Sequence, residues 1–291
     1  MADPDLLPPD IAVVVPVYDN EDALDELHRR LTAPLEAMGH PYTVTYVDDA
    51  GRDGSWAWIQ ATAAADPHVR GLRLARNVGQ TRAICVGFEE VADARVVATI
   101  DADLDFDPAD LPLLVEPVLA GADLAAGVRV ERTDRWLARL WPSVAFNLAM
   151  RAGTGYRLGD VGCGYFAMSG ALTRQIPGGQ HRRLAIRPLL AELAGPTVTV
   201  PVRYRSRPGA GLSSARRLDT ALEVLAVHPR PRLLAGAAAA LLAAAGVRRW
   251  PPLLVPAAGF GALAFSLARR HRAIRAGAQG PLGDVAERVG G

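Results

Sequence analysis

Four aspartates alternate in the stretch TIDADLDFDP, at Asp101, Asp103, Asp105 and Asp107, directly after an apolar run. In a continuous strand every second side chain projects from one face, so four carboxylates there would repel one another. A counter-cation or a bend in the chain must intervene. The D-x-D-x-D spacing matches the start of a calcium loop, but the loop's glycine position holds Phe106 and its closing glutamate position holds Pro112, which excludes that site. What remains is a narrower arrangement. Asp101 and Asp103 flank one divalent cation at a strand end, and Asp105 and Asp107 belong to the following turn, where DPAD fits a helix start with an acidic N-cap and proline in its first turn. Magnesium and manganese complete their shells with phosphate oxygens and water, so two carboxylates with open positions suit an ion bound to a diphosphate. The alternative is an acidic capping turn without an ion.

The elements that would hold these residues are legible in the apolar pattern. IAVVVPVY is a β-branched run that predicts a strand buried on both faces. After it, Ala23, Leu24, Leu27, Leu31 and Leu35 recur at helical spacing up to Gly39, a C-cap residue. YTVTYVDD, VRGLRL and ARVVATI predict three further strands, alternating with helices over WAWIQATAAA and QTRAICVGFEEVA. That order predicts a parallel sheet covered by helices, with ligands at the carboxyl ends of its strands. Asp48, Asp49 and Asp53, then residues 77–80, then Asp101 and Asp103 all fall in those loops. The first such loop reads PVYDNED, without GxGxxG, and no GxxxxGK[ST] occurs, so neither a dinucleotide fingerprint nor a P-loop is present.

Charge is segregated along the 291 residues. Residues 1–128 carry 8 Arg against 23 Asp and Glu, residues 129–232 carry 17 Arg against 6, and residues 233–291 carry 7 Arg against 2, for a net charge of +1. All 32 basic side chains are arginine. An acidic half that handles cations and a basic part that meets phosphates or lipid headgroups follows, and nothing points to nucleic acid. Cys85 and Cys163 have no CxxC spacing, which supports neither zinc nor a disulfide framework. The acidic, proline-broken N-terminus is unlike a signal peptide, so a cytoplasmic catalytic domain is expected.

Taken together, VVVPVYDNED, YVDDAGRDGSW, RNVGQTRAICVGF and IDADLD resemble, in order and spacing, the family 2 glycosyltransferases of the GT-A fold. ERTDRWLARL, GDVGCGYFAMS and VRYRSRPGAGLSS extend the resemblance to the polyprenyl-phosphate branch, which includes dolichol-phosphate mannose synthases and bacterial undecaprenyl-phosphate sugar transferases. It covers roughly residues 10–270. The resemblance implies an α/β GT-A nucleotide-diphospho-sugar transferase fold and an inverting, metal-dependent transfer from a nucleotide diphosphate sugar to a polyprenyl monophosphate. Mg2+ or Mn2+ would sit on Asp101 and Asp103. Pro16, Tyr18, Glu21, Asp49, Gln80, Asp101 and Arg129 would bind the nucleotide sugar, Asp103 and Asp160 would be the catalytic pair of carboxylates, and Arg139, Arg205, Arg207, Ser213 and Arg216 would bind the acceptor phosphate. The chain departs from the family pattern at three points. Glu21 stands one position late, Asp105 stands where glutamine is usual, and the arginine loop RPGAGLSS gains a residue between Arg207 and Gly211 and carries Ser214 in place of lysine.

Residues 233–247 and 251–268 contain no charge and are separated by Arg248, Arg249 and Trp250. At about 1.5 Å per residue they would reach roughly 22 and 27 Å as helices, against a hydrocarbon core of about 30 Å. Flanking arginines could snorkel to extend them, and small residues would let the two pack closely. A membrane hairpin, a surface-bound hairpin and a buried soluble pair all keep these stretches apolar. The expected organisation is a nucleotide-sugar half over 1–128, an acceptor half over 129–229, an apolar helical hairpin over 230–275 at the cell membrane, and a flexible tail over 276–291. A homo-oligomer is left open. Two other functions remain beside the lipid acceptor: transfer to a soluble small molecule, and a scaffold that binds nucleotide sugar without turnover.

Overall fold

The β-branched run Ile11–Val17 forms the central strand β1, buried along its whole length. This computed structural model describes residues 9–131, 160, 163–176, 186–205 and 284–290. Around β1 the alternation read from the sequence is present: α1 (Glu21–Met38), β2 (Tyr42–Asp48), α2 (Ser55–Ala65), β3 (Val69–Leu74), α3 (Gln80–Glu90) and β4 (Val96–Thr99). The chain continues through a 3-10 turn at Pro108–Asp110 into α4 (Leu111–Leu119), β5 (Leu124–Glu131), β6 (Phe166–Ser169), α5 (Gly170–Thr173), α6 (Ile186–Leu193), β7 (Thr197–Tyr204) and β8 (Val285–Val289).

Side-chain alternation along β1 builds two cores. Ile11, Val13, Val15 and Val17 join Leu24, Leu27, Leu31 and Leu35 of α1 and Leu111, Leu114 and Val115 of α4. Ala12 and Val14 face the other way, onto Ala83, Ile84 and Phe88 of α3. The apolar stripe of α1 is the one its spacing predicts, and the helix ends at Gly39, whose φ of 67° is the left-handed conformation that glycine adopts without a Cβ clash.

The eight strands form one sheet in the order β7-β5-β6-β4-β1-β2-β3-β8. β1 is parallel to both β2 and β4, and β2 is parallel to β3. Consecutive strands thus run outward from β1 on one side while β4 lies on its other side, which opens a crevice beyond the carboxyl ends of β1 and β4. The β1–β4 register ends at Val14 and Thr99, and Pro16, two residues on, has no N–H with which to extend it. β5 runs through the expected 128/129 boundary, so both halves share the sheet.

Within the expected flexible tail, Val285–Val289 forms β8 and pairs antiparallel with β3, with Gly71 opposite Val289 and Leu72 opposite Arg288. Arg288 Nε also lies 3.5 Å from Glu90 Oε2. β3 would otherwise present a row of unpaired backbone groups at the sheet edge, and β8 satisfies them. Among the described residues no helix is long and apolar enough to cross a membrane. The expected hairpin at 230–275 lies outside the described residues.

Candidate functional site

At the carboxyl ends of β1, β2 and β4 the backbone departs from ordinary geometry. Among the described residues, the non-glycine residues with left-handed φ are Asp19 (51°), Ala50 (57°) and Leu104 (60°), one in each of those three loops. Strain of this kind persists only where surrounding structure imposes it, and it collects at functional sites.

Leu104 answers the question of the four aspartates. Its φ turns the chain, so the carboxylates separate into different surroundings. Asp103 Oδ1 accepts the Asp105 N–H at 3.0 Å and fixes the turn. Asp105 is buried and its Oδ2 accepts from the Tyr204 hydroxyl at 3.3 Å. Asp107 caps the 3-10 turn through Ala109 N at 3.2 Å, as DPAD predicts, and pairs with Arg30 and Arg203 at 2.7 and 2.8 Å. Asp101 and Asp103 are left near the crevice.

Asp101 has one side-chain partner and a close neighbour that leaves no room for a side chain. Gln80 Nε2 donates to Oδ1 at 2.6 Å, and Oδ2 lies where a Cβ on Gly164 would come within 2.6 Å. Burial, then the neighbouring negative charge of Asp103, pushes the Asp101 carboxyl up to about 7, against the pull of the Gln80 hydrogen bond. Two hard oxygen donors fit Mg2+ or Mn2+ better than a soft metal. Among the described residues no group of three or more His, Cys, Asp or Glu could hold an ion, so phosphate oxygens and water would complete its shell. A side chain at 164 would displace Asp101. Gly164→Ala is expected to weaken Mn2+ binding at least about tenfold with the fold intact, measured by calorimetric titration and circular dichroism.

The residues expected on the donor side are placed as follows. Pro16 is buried in β1, and Tyr18 is 44% exposed at the crevice mouth. Glu21 Oε2 accepts the Gly54 N–H at 2.8 Å, while Asp53 accepts the Glu21 N–H at 2.9 Å, so Glu21 fastens the β2–α2 loop to α1. Asp49 accepts the N–H groups of Val78 and Gly79 at 2.7 and 2.8 Å, one on each oxygen, and is 3% exposed. Its carboxylate holds the loop before α3.

Across the crevice, Arg129 on β5 makes a forked pair with Asp160: Nε to Oδ2 at 2.6 Å and Nη2 to Oδ1 at 2.9 Å. Its guanidinium lies 5.2 Å from the centre of the Tyr204 ring. Burial works against the Arg129 charge, but the pair with Asp160 outweighs it and holds the guanidinium above its ordinary value. Arg205 follows β7 and donates its N–H to the Asp105 carbonyl at 2.7 Å. The other expected acceptor residues, Arg139, Arg207, Ser213 and Arg216, lie outside the described residues.

Three contributors were not singled out from the sequence. Tyr204 links Asp105 to Arg129, Gly164 abuts Asp101, and Arg187 is 2% exposed, donating to the carbonyls of Cys163 and Gly127 at 2.9 and 3.1 Å. The signal for Arg187 was a single charge within the apolar helical run AIRPLL. Burial pushes the thiol of Cys163, beside it, up to about 11.

Comparison with known proteins places the chain among similar sequences and folds. Residues 12–176 match the family described as Glycosyl transferase family 2. A Pseudomonas fluorescens SBW25 protein named undecaprenyl-phosphate 4-deoxy-4-formamido-L-arabinose transferase is 41% identical over 154 residues, 53% of this chain and 45% of that one. A Pseudomonas aeruginosa LESB58 protein of the same name is 37% identical over 212 residues, 72% of this chain and 61% of that one. The chain thus spans about half the length of these curated relatives. Among solved structures, glucosyl-3-phosphoglycerate synthase from Mycobacterium tuberculosis, in complex with Mn2+, UDP-glucose and phosphoglyceric acid, aligns with a TM-score of 0.54 at 19% identity, covering 82% of this chain and 80% of that one. Staphylococcus aureus TarS 1–349 with UDP-GlcNAc aligns with a TM-score of 0.53 at 15% identity, covering 91% and 81%. At those identities the likeness establishes the fold, a GT-A-like α/β architecture.

Proposed function

The chain belongs to glycosyl transferase family 2, and from that premise we propose that it moves a sugar from a nucleotide diphosphate sugar to a polyprenyl monophosphate with inversion at the anomeric carbon. The observation that carries this reading is the placement of Asp101 and Asp103 opposite the Arg129–Asp160 pair, across a crevice at the strand ends. The acceptor in the reading comes from the names of the curated relatives.

Asp101 and Asp103 would hold Mg2+ or Mn2+, which when bound supplies positive charge to the departing diphosphate. The Gln80 amide, bonded to Asp101, would keep that carboxylate aimed at the ion. Pro16 and Tyr18 would border the base, and Arg129 would face the phosphates. In the transfer, an acceptor phosphate oxygen bonds to the anomeric carbon as the bond from that carbon to the diphosphate oxygen breaks. A phosphomonoester has its second pKa near about 6, so the nucleophile is already ionised at neutral pH and no proton need be removed. Asp160 fits this chemistry as an orienting group, because accepting a proton would disrupt its fork with Arg129.

A lipid acceptor also suits the distribution of arginine, since a phosphate at headgroup level needs a basic site next to the anchor. β7 ends at Tyr204 and β8 begins at Val285 in one sheet. A chain that enters the bilayer between them must therefore return to the side it left. In this reading the catalytic domain lies on the cytoplasmic face.

The test is release of nucleoside diphosphate from a panel of donors, with and without undecaprenyl phosphate and with Mn2+, Mg2+ or chelator. Release that requires both the polyprenyl phosphate and a divalent ion is the expected result. Release driven equally by a soluble alcohol would replace the lipid acceptor, and no release with any donor would leave a binding scaffold.

A further inference from the structure

We propose that Arg187 is a positioning residue for the Arg129–Asp160 pair, its guanidinium tying β5 to the backbone at Cys163 at the spacing that lets the two side chains fork. The inference rests on the reading of that pair as part of the transfer site. β5 and β6 pair from Leu124 opposite Met168 to Ala126 opposite Phe166, and one further backbone bond runs from Gly127 N to Tyr165 O at 3.1 Å. Beyond it, the Arg187 side chain joins the two chains. Its Nη1 donates to the Cys163 carbonyl at 2.9 Å and its Nη2 to the Gly127 carbonyl at 3.1 Å. Arg129 lies two residues past Gly127, and the Asp160 carbonyl accepts the Cys163 N–H at 3.4 Å. One planar group of fixed geometry therefore holds both legs of the fork just before they meet.

A cation is costly to keep at this place. Arg187 is 2% exposed, on a helix that meets the sheet through Ile186 and Leu190. Burial works against its charge, and its Nε has no hydrogen-bond partner among the described residues. The two carbonyls, the Phe166 ring 5.8 Å from the guanidinium and the charge of Asp160 offset that cost. An apolar side chain would fill the same space without desolvating a charge. It could not fix two backbone segments at once. A lysine could not either, because its ammonium is a point donor on a flexible stem. Close packing makes the spacing matter. A Cβ on Gly127 would lie 2.4 Å from the Tyr165 carbonyl, and one on Gly164 would lie 2.6 Å from Asp101. Movement of the backbone at Cys163 therefore shifts Asp160 against Arg129 and, through Gly164, crowds Asp101.

The test compares Arg187→Lys and Arg187→Met with wild type in the full chain, using the nucleotide sugar that the donor panel selects and undecaprenyl phosphate. Lysine keeps the charge and a donor for one carbonyl, so it carries the comparison if the methionine variant loses its melting transition. Both variants are expected to lower kcat about 10- to 100-fold, the scale on which displaced site geometry costs rate. In the Asp160→Asn background, Arg187→Lys is expected to add nothing, so that the double variant turns over no slower than the slower single. A merely structural role would instead multiply the two losses. Hydrogen exchange gives a readout that needs no turnover: Arg187→Lys is expected to speed exchange at residues 127–131 and 163–169 and to leave β1, β2 and β3 unchanged. Wild-type kcat in Arg187→Lys, multiplied losses in the double variant, or unchanged exchange at both segments would overturn the inference alone. Wild-type protein that turns over no donor would overturn the transfer reading, and the exchange measurement would still decide whether Arg187 sets the backbone spacing.

Discussion

Asp103→Asn is expected to lower sugar transfer by about 10^2- to 10^3-fold while the protein stays folded. The side chain makes one described structural bond, to the Asp105 N–H at 3.0 Å, and an asparagine oxygen can accept the same bond, so the turn survives. What disappears is one of two anionic donors for the ion that offsets charge on the leaving diphosphate. Losing a comparable electrostatic contact in other enzymes costs about 3–4 kcal/mol of transition-state stabilisation, which is the stated range in rate. A second readout comes from pH. In metal-free protein the Asp101 carboxyl is pushed up to about 7, by burial and then by Asp103, from its ordinary value of 3.8. The unfolded chain then releases this proton near pH 4 and the folded chain near pH 7, so this group makes stability fall as pH rises through that window. Asp103→Asn removes the second largest of the three raising causes, which stands after burial and ahead of Asp105. The metal-free variant is therefore expected to lose less thermal stability between pH 4.5 and 7.5 than wild type, and saturating Mn2+ is expected to flatten the wild-type slope, because the ion takes the place of the proton. Thermal melts across that range, with chelator and with Mn2+, measure both. Transfer by Asp103→Asn at more than about a tenth of the wild-type rate would remove Asp103 from the cation site.

The extent to which this site could be read in advance follows from the range over which each contact acts. The strand and helix alternation around β1 is local, carried by runs such as Ile11–Val17 and by the spacing of Leu24, Leu27, Leu31 and Leu35, and it is present in the fold. Placing Asp49, Gln80 and Asp101 in neighbouring loops needed only the rule that ligands meet the carboxyl ends of parallel strands. What each carboxylate does there depends on partners distant in sequence, and here the residues alone were silent. Asp49 meets residues about 30 positions away, Asp160 meets Arg129 31 positions away, and Tyr204 meets Asp105 99 positions away. Arg203, also out of reach of any local pattern, takes up Asp107 and Asp110. β8 escaped notice for the same reason. Five residues between glycine-rich flanks carry little local signal, and they become a strand because β3 has an open edge.

The Arg129–Asp160 pair carries the second large effect, and its two halves are expected to fail differently. Arg129→Met leaves a carboxylate that is 9% exposed without its forked partner. Breaking a fully buried pair costs about 3–5 kcal/mol, and because the Arg129 side chain is 32% exposed a loss of about 2–3 kcal/mol is expected here. The same variant removes a cation expected to face the phosphates and should lower transfer about 10^2-fold. Asp160→Asn leaves a guanidinium that still stacks on Tyr204 and reaches solvent, so its stability loss should be smaller and its rate loss about tenfold. Denaturant titrations of the two single variants and the double variant give the coupling energy of the pair. The pH profile then separates the roles of Asp160. If the nucleophile is a phosphate oxygen, the rate rises through the acceptor's own ionisation near about pH 6 in wild type and in Asp160→Asn alike. An Asp160→Asn variant that loses this limb, or that is as inactive as Asp103→Asn with an intact fold, would make Asp160 the base and would favour an acceptor that arrives with its proton.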